Sequence, residues 1–560
     1  MLARIRGAAA DEALFTRAAE FARARHIETD TDASPLFDNP PPGSDTDILK
    51  LLRQMYEAGS WVLVESAIAD LPSDLRWLYE SGAVTIEQLA VIHCSLGATS
   101  AADLADAARA HKLRALPGLD AAVEDAVAAA VPALRTSIPR VPIGRATAVA
   151  DVMLERLRAV PGVVWALPAG SLRRGQETVG DIEIVASTDR PAEAIDQLLE
   201  LPEPPHILHR SERQLYVLVD RMQVGVRLPE PANAGATLLH LTGSAAHFDA
   251  LRAHAATSGW RLTANGLYDG DGAFRPMATE DALYAALGLP CIPPEIRNGE
   301  EEIVRAARGD LPALVTIRDI RGDLHMHSTW SDGRDPIAAM VQGCRALGYE
   351  YMAITDHSPH SAATRNLTAD GVRKQADEIA RMREEHPDIG ILHGCEVDIL
   401  TDGRLDFPEK ILEQFDIVLA SLHEGAGHSS EQLMKRYESA MKHPLVTIIT
   451  HPSNRVVPHR PGYDLDYDRL FAFAVETGTV LEIDGAPSHL DLDGALARRA
   501  IAAGATVAID SDCHRVEMLG RQMQLGVITA RRGWVEPQHV LNTRSLDEVR
   551  VRIAAKRGAR

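Results

Sequence analysis

Between residues 351 and 514, six short apolar runs, YMAITDHS, IGILHGCEVDI, DIVLASLHE, LVTIITHPS, TVLEIDG and TVAIDSDCH, alternate with helix-patterned segments. Strands that alternate with helices pair in parallel, so this part of the chain is expected to form a barrel-like or open α/β sheet. In each run the polar residues come after the apolar ones, at the carboxyl end of a strand, where α/β barrels place their active sites. Of the 22 histidines, 14 lie beyond residue 320, which points to metal chemistry in the C-terminal part.

The segment DLHMHSTWSDG sets His325 and His327 two residues apart, so that on an extended backbone both imidazoles face one way and can share an ion. Asp332 follows after a turn. His357, Glu396, His423, His451 and the Asp512 and His514 pair are each expected just past a strand, giving nine candidate ligands from seven places. One strand-end histidine ordinarily makes only a backbone hydrogen bond, and the argument rests on the whole set. Imidazoles mixed with three carboxylates suit Mn, Zn or Fe better than Ca or Mg, and bridging carboxylates would let two or three divalent ions sit close together.

The remainder of the chain sets the context. At 560 residues it exceeds what one core organises, and several domains are expected. No apolar run reaches the roughly 18–20 residues that cross a bilayer, and MLARIRGAAADEALF lacks the apolar stretch of a secretory signal, so a cytoplasmic protein with no membrane partner is expected. Five cysteines without a C-x-x-C pair indicate neither a disulfide framework nor a thiolate zinc site. A formal net charge of −21 argues against a protein whose main affinity is for a phosphate backbone. The first 140 residues read as helices broken by a loop, SPLFDNPPPGSDTD. From about residue 136 the pattern changes to mixed α/β, with a strand in ETVGDIEIVAST and a strand pair, QLYVLV and MQVGVRL, turning at Asp220 and Arg221.

From DLHMHSTWSDG through SDCHR, the chain resembles the polymerase and histidinol phosphatase (PHP) domain over about 240 residues. The resemblance implies a distorted seven-stranded (β/α) barrel with a di- or trinuclear metal centre, with Glu396 and Asp512 contacting the cluster as catalytic carboxylates and with phosphoester hydrolysis as the reaction. In EIDGAP, Asp484 stands where the family usually has an amide, which implies altered substrate contacts rather than altered metal binding.

AGSLRRGQETVGDIEIVAS resembles the palm of family X DNA polymerases, and TLLHLTGSAAHFDALR through ALGLPCIPPEIRNGE resembles their thumb. The resemblance implies nucleotide contacts from Gly170, Ser171, Arg174 and Gly180. Asp181 and Glu183, two apart on one strand face, could bind Mg²⁺. It departs from the family at Gly225, where a third metal-binding carboxylate belongs, and at Phe248, which replaces an asparagine. KLRALPGLDAAVEDAV resembles a DNA-binding helix-hairpin-helix, but Asp120 replaces a glycine whose amide would meet a phosphate.

The expected architecture is an all-α helix-hairpin-helix domain (1–135), an α/β nucleotidyltransferase palm (136–235), a thumb (236–310) and a PHP barrel (318–560). The expected activity is metal-dependent phosphoester hydrolysis, as a 3′-5′ exonuclease or 3′-phosphatase on DNA ends in DNA repair, joined to a weak or inactive polymerase-like module. The expected partners are DNA ends or gapped DNA, or a small phosphoester. Alternative readings are an active gap-filling DNA polymerase, a small-metabolite phosphatase of the histidinol-phosphatase type, and a non-catalytic DNA- or protein-binding N-terminal half.

Overall fold

The computed structural model describes nearly all residues from 140 to 558 and, before them, residues 82–96, 101–133 and a scatter between 17 and 79. The described residues divide into two compact units, one mainly before residue 140 and one mainly after it. Most of the proline-bearing stretch expected as a loop lies outside the described residues, although its last two residues, 46 and 47, begin a helical segment that runs to 49. No described helix is long and apolar enough to cross a membrane.

The first unit is helical, with α1 (Ile86–Leu96), α2 (Ala101–Arg109) and α3 (Ala121–Ala133) enclosing a small core that includes Leu89, Leu104, Leu113 and Val127. The hairpin before α3 carries carboxylates where a phosphate-binding hairpin would offer bare amides. Asp120 Oδ1 accepts the Val123 amide at 2.9 Å, and Glu124 Oε2 accepts that of Arg114 at 3.1 Å.

The second unit begins with α4 (Ile143–Ala159) packed against a five-stranded sheet: β1 (Val163–Pro168), β2 (Ile182–Thr188), β3 (His206–Arg210), β4 (Gln214–Val219) and β5 (Met222–Arg227). The strand order is β1-β2-β5-β4-β3, with β2 and β5 parallel and every other pair antiparallel. Asp220 makes the β4–β5 turn at φ 46°, and Arg145 donates to its Oδ2 at 3.1 Å. The helices α5 (Ala234–Thr242) and α6 (Ala245–Thr257) follow. Their core takes in Leu239, Phe248, Leu251 and Tyr284, together with Trp534 from much later in the chain.

Seven parallel strands then stand in sequence order: β6 (Gly322–Asp323), β7 (Tyr351–Ile354), β8 (Gly390–Asp398), β9 (Ile417–Ser421), β10 (Val446–Ile449), β11 (Val480–Asp484) and β12 (Val507–Asp510). Beyond the ends of β12 and β6, a bridge between Met326 and Cys513 nearly closes the barrel. Alternation along β7 sends Tyr351 and Ala353 to a core shared with inward residues such as Leu392, Leu419 and Ala508. Met352 and Ile354 go to the layer under the helices. The long helix α7 (Leu519–Arg532) follows β12 and supplies charged links to the preceding sheet and helices. Arg521 bonds Asp151 at 2.8 Å, Arg531 bonds Glu295 at 2.7 Å and Arg532 bonds Glu177 at 3.1 Å.

Candidate metal centre

His325 and His327 emerge beyond β6 fully buried, with their Nε2 atoms 3.2 Å apart. The loop that follows is tied to the end of β7 by Asp356. Its carboxylate accepts the amides of Ser328 (2.8 Å) and Ser331 (3.0 Å), both of their hydroxyls (2.6 and 2.5 Å), and the Gln375 side-chain amide (2.6 Å). A carboxylate with five donors is firmly fixed, and it places Asp332 at the rim.

Glu396 occupies the middle of the site. It lies inside β8, not past its end as the sequence suggested, because β8 outruns its neighbours and pairs through Glu396 with Leu419 on one side and His357 on the other. His357 Nδ1 stands 2.7 Å from Glu396 Oε2, and His451 Nε2 stands 2.9 Å from Oε1. Both His325 and His327 lie about one-third of a nanometre away, at 3.5 and 3.6 Å. His423, two residues past β9, offers a ligand atom within 4.8 Å of those of His357 and Glu396. Asp512 Oδ1 lies 3.1 Å from His327 Nε2 and 3.5 Å from His325 Nε2. Asp332 completes the far side, 3.2 Å from His514 Nε2 and 3.6 Å from His357 Nε2. The His327 ring is stacked between those of His357 and His514, at 4.3 and 4.2 Å. All nine sequence-named residues therefore meet in one connected cluster.

Electrostatically the cluster is polarised. Burial, reinforced by His514 and His357, pushes His327 down to about 4, leaving it neutral. His514, although buried, is held up at about 10 by Asp332 and Asp512. Asp512, despite burial, is held well below the carboxylate range by His325, His327 and His514. Imidazole nitrogens and carboxylates converging, with no lysine or arginine between them among the described residues, form a donor set that suits divalent transition ions, which would displace the protons. Three groupings, His325 with His327 and Asp512, His327 with Asp332, His357 and His514, and His357 with Glu396 and His423, could each hold one.

Several residues of the site were not read from the sequence. Glu482, buried in the middle of β11, accepts from His325 Nδ1 at 2.7 Å through Oε1 and from the His451 amide at 2.7 Å through Oε2. It thereby fixes which nitrogen of His325 faces the cluster. An acid inside the apolar run VLEID was the available signal. Glu482→Gln is expected to lower metal affinity and turnover by roughly 10–100-fold, as loss of such an orienting partner does. Metal titration with a competing chelator would check this, and an unchanged affinity would mean that packing alone holds the His325 ring. Asp484, expected to bear on substrate contacts rather than on metal, lies instead with His489 and Asp512 as a fourth possible ion-holding group.

The polymerase-like sheet presents a different picture. Glu183 of β2 faces Gly225 of β5, which in turn faces Tyr216 of β4. A side chain at 225 would begin 2.6 Å from Glu183 Oε1 and 2.7 Å from Tyr216 Cε1. Arg227 sits 3.8 Å from Glu183 Oε2, and its guanidinium lies 5.1 Å from the centre of the Tyr216 ring. Burial pushes the Glu183 carboxyl up to about 7, with Arg227 opposing the rise and Asp181 adding to it. A tyrosine and an arginine thus fill the space beside the two carboxylates. Gly170 opens a four-residue helical turn at φ 62°, with Ser171 within that turn. Arg174, just after it, donates to the Thr242 carbonyl, and Phe248 is buried in the core of α5 and α6. Gly180 and Asp181 lie just before β2, so Asp181 precedes the strand that carries Glu183 rather than sharing it, and Gly180 has the Arg140 guanidinium beside it.

Comparison with known proteins accords with this geometry. Residues 237–298 match the DNA polymerase beta thumb and residues 323–455 match the PHP domain. The DNA polymerase/3′-5′ exonuclease PolX of Bacillus subtilis (strain 168) is 36% identical over 503 residues, covering 89% of this chain and 88% of that protein. A probable phosphatase of Caldanaerobacter subterraneus subsp. tengcongensis is 30% identical over 212 residues, 36% of this chain and 78% of the phosphatase. Another, from Thermoanaerobacter sp. (strain X514), is 30% identical over 233 residues, 40% of this chain and 89% of its own length. A thumb-bearing half, a seven-stranded barrel with clustered histidines and similarity running along almost the whole chain together make this protein a member of the family X DNA polymerases that carry a PHP domain.

Proposed function

We propose that the chain is a metal-dependent phosphoesterase acting on DNA ends, as a 3′-5′ exonuclease or 3′-phosphatase, with a palm that is weak or inactive in nucleotide transfer. The observation that carries this reading is the contrast between the nine residues gathered in the barrel and a palm in which Glu183 and Tyr216 crowd the position of a third carboxylate. The name of the Bacillus relative, a DNA polymerase/3′-5′ exonuclease, supports the substrate class. The reading takes the chain as four parts, 1–135, 136–235, 236–310 and 318–560.

Two or three divalent ions, when bound, supply Lewis acidity that activates water and neutralises charge growing on the phosphoryl oxygens. The protein's part is to hold and orient. Glu396 lies among four imidazoles, Asp512 serves the His325 and His327 end, and Asp332 with His514 serves the other. The Asp332 and His514 side chains are 26% and 33% exposed, while those of His325 and His327 are wholly enclosed, so the phosphoester approaches from the Asp332–His514 side.

The test is incubation of the full chain with Mn²⁺ and matched DNA substrates ending in 3′-hydroxyl, in 3′-phosphate, or carrying a gap. Shortening or dephosphorylation of the 3′ end is expected, without gap filling. The variant carrying both His325→Ala and His327→Ala is expected to lose this activity, bind less metal by elemental analysis and melt at a lower temperature, because ions that bind only the folded chain stabilise it. Turnover confined to small phosphoesters would move the reading to a metabolite phosphatase, which the acidic hairpin at Asp120 and Glu124 favours.

A further inference from the structure

We infer that Asp484 and His489, together with Asp512, form an additional divalent-cation site on the rim of the barrel, beside the nine-residue cluster. The inference rests on the reading of that cluster as a metal centre for one ligand, Asp512, which the two would share.

Asp484 ends β11, between the strands that lead to His451 and to Asp512, and is fully buried. Its Oδ1 accepts the Ala486 amide at 2.6 Å, closing a tight local turn, while its Oδ2 is enclosed with no hydrogen-bond donor. A buried carboxylate oxygen without a donor costs stability unless a proton or a cation satisfies it.

His489 is held in the manner of a metal ligand. Its Nδ1–H donates to the Arg455 carbonyl at 2.9 Å, and Arg455 Nε returns a bond to the His489 carbonyl at 2.8 Å. The Arg455 guanidinium is itself anchored by Glu177 at 3.0 Å and Asp493 at 3.4 Å. The ring also stacks on that of His451, 5.4 Å away. With Nδ1 committed to a carbonyl, the lone pair of the neutral ring is on Nε2. Metal-ligating histidines usually show this arrangement, one nitrogen donating to a carbonyl or carboxylate and the other left for the ion. His325 shows it too, through Glu482.

A ligand atom from each of Asp484, His489 and Asp512 lies within 4.8 Å of the other two. Three ligands at about 2.0–2.2 Å from a shared ion stand roughly 3–4 Å from one another, so movements of up to about an ångström would seat one. One imidazole and two carboxylates make a mixed nitrogen and oxygen set, suited to Mn²⁺ or Zn²⁺. The three groups offer only acceptors to one another, and the competing way to satisfy them is a proton held between the two aspartates.

Ion counting separates these cases. The full chain, stripped with a chelator and dialysed against Mn²⁺ or Zn²⁺, is assayed by elemental analysis and calorimetric titration beside Asp484→Asn, His489→Gln and the His325→Ala, His327→Ala double variant. Asp484→Asn and His489→Gln are each expected to bind one ion fewer than the parent and to keep the rest. Equal stoichiometry and affinity in parent, Asp484→Asn and His489→Gln would overturn the site and leave the proton as the occupant. If Asp484→Asn fails to fold, His489→Gln decides alone. A double variant that loses no ions would instead overturn the reading of the main centre, so the two failures give different results.

Discussion

Glu396→Gln is expected to lower phosphoester hydrolysis more than any single histidine substitution in the cluster, and by more than the roughly 10–100-fold that follows loss of an outer partner of a metal ligand. The reason is position. Each histidine has one ring nitrogen directed at the cluster, whereas the two oxygens of Glu396 reach His357 and His451 at 2.7 and 2.9 Å and stand within 3.6 Å of His325 and His327. A carboxylate placed so can bridge neighbouring ions, set their separation and neutralise their mutual repulsion. The amide keeps the shape but loses the charge. Water can complete the shell of an ion that lacks one imidazole, but it cannot supply the missing negative charge. Steady-state turnover on a 3′-end substrate, with bound metal counted in the same samples, checks the ranking. A histidine variant that falls further than Glu396→Gln would assign the bridging role elsewhere.

Template-directed nucleotide incorporation by the unmodified chain is expected to be absent or very weak in Mg²⁺ or Mn²⁺, and Gly225→Asp is expected not to restore it. From the sequence alone, restoring the missing carboxylate at 225 looks like a partial rescue. The structure removes that expectation, because the first carbon of the new side chain would stand 2.6 Å from Glu183 Oε1 and 2.7 Å from a Tyr216 ring carbon. Both neighbours would have to move, and Arg227 is bound up with both. Overpacking of this kind costs about 1–3 kcal/mol, so Gly225→Asp is also expected to melt below the parent. A primer-extension gel and a melting curve check both parts. Robust extension by the parent would show that two carboxylates suffice and would return the chain to the polymerases in activity as well as in family.

The barrel was legible because six apolar runs alternate with helix-patterned segments, and most of the nine candidate residues follow such a run, a position that sequence marks well. The structure adds β6 as a seventh parallel strand and brings the nine candidates together. What the pattern could not carry was register. Glu396 sits within its strand because β8 extends past its neighbours, and strand length in a barrel is set by pairing on both sides. Glu482 was marked only as an acid inside an apolar run, since its role depends on His325 lying across the barrel at 2.7 Å. His489 lies in the loop before the helix that begins at Gly494, and its reciprocal bonds with Arg455 could not be read from the sequence. The filling of the palm was half legible. Gly225 announced the missing carboxylate, but Tyr216 and Arg227 could be placed beside Glu183 only once the antiparallel pairing of β4 and β5 was known.

Trp534, which follows the barrel helix α7, is buried in the core built by α5 and α6, where the Arg498 guanidinium lies 4.3 Å from its ring centre. With the links from Arg455, Arg521, Arg531 and Arg532, this makes the barrel and the polymerase-like half one folded object rather than two beads on a string. The heritable consequence is an asymmetry in what this chain can lose. A single substitution in the palm, as at position 225, leaves the barrel untouched. Deleting the palm and thumb would uncover an indole and strand several guanidinium groups, so the barrel depends on the fold of those parts whether or not they transfer nucleotides.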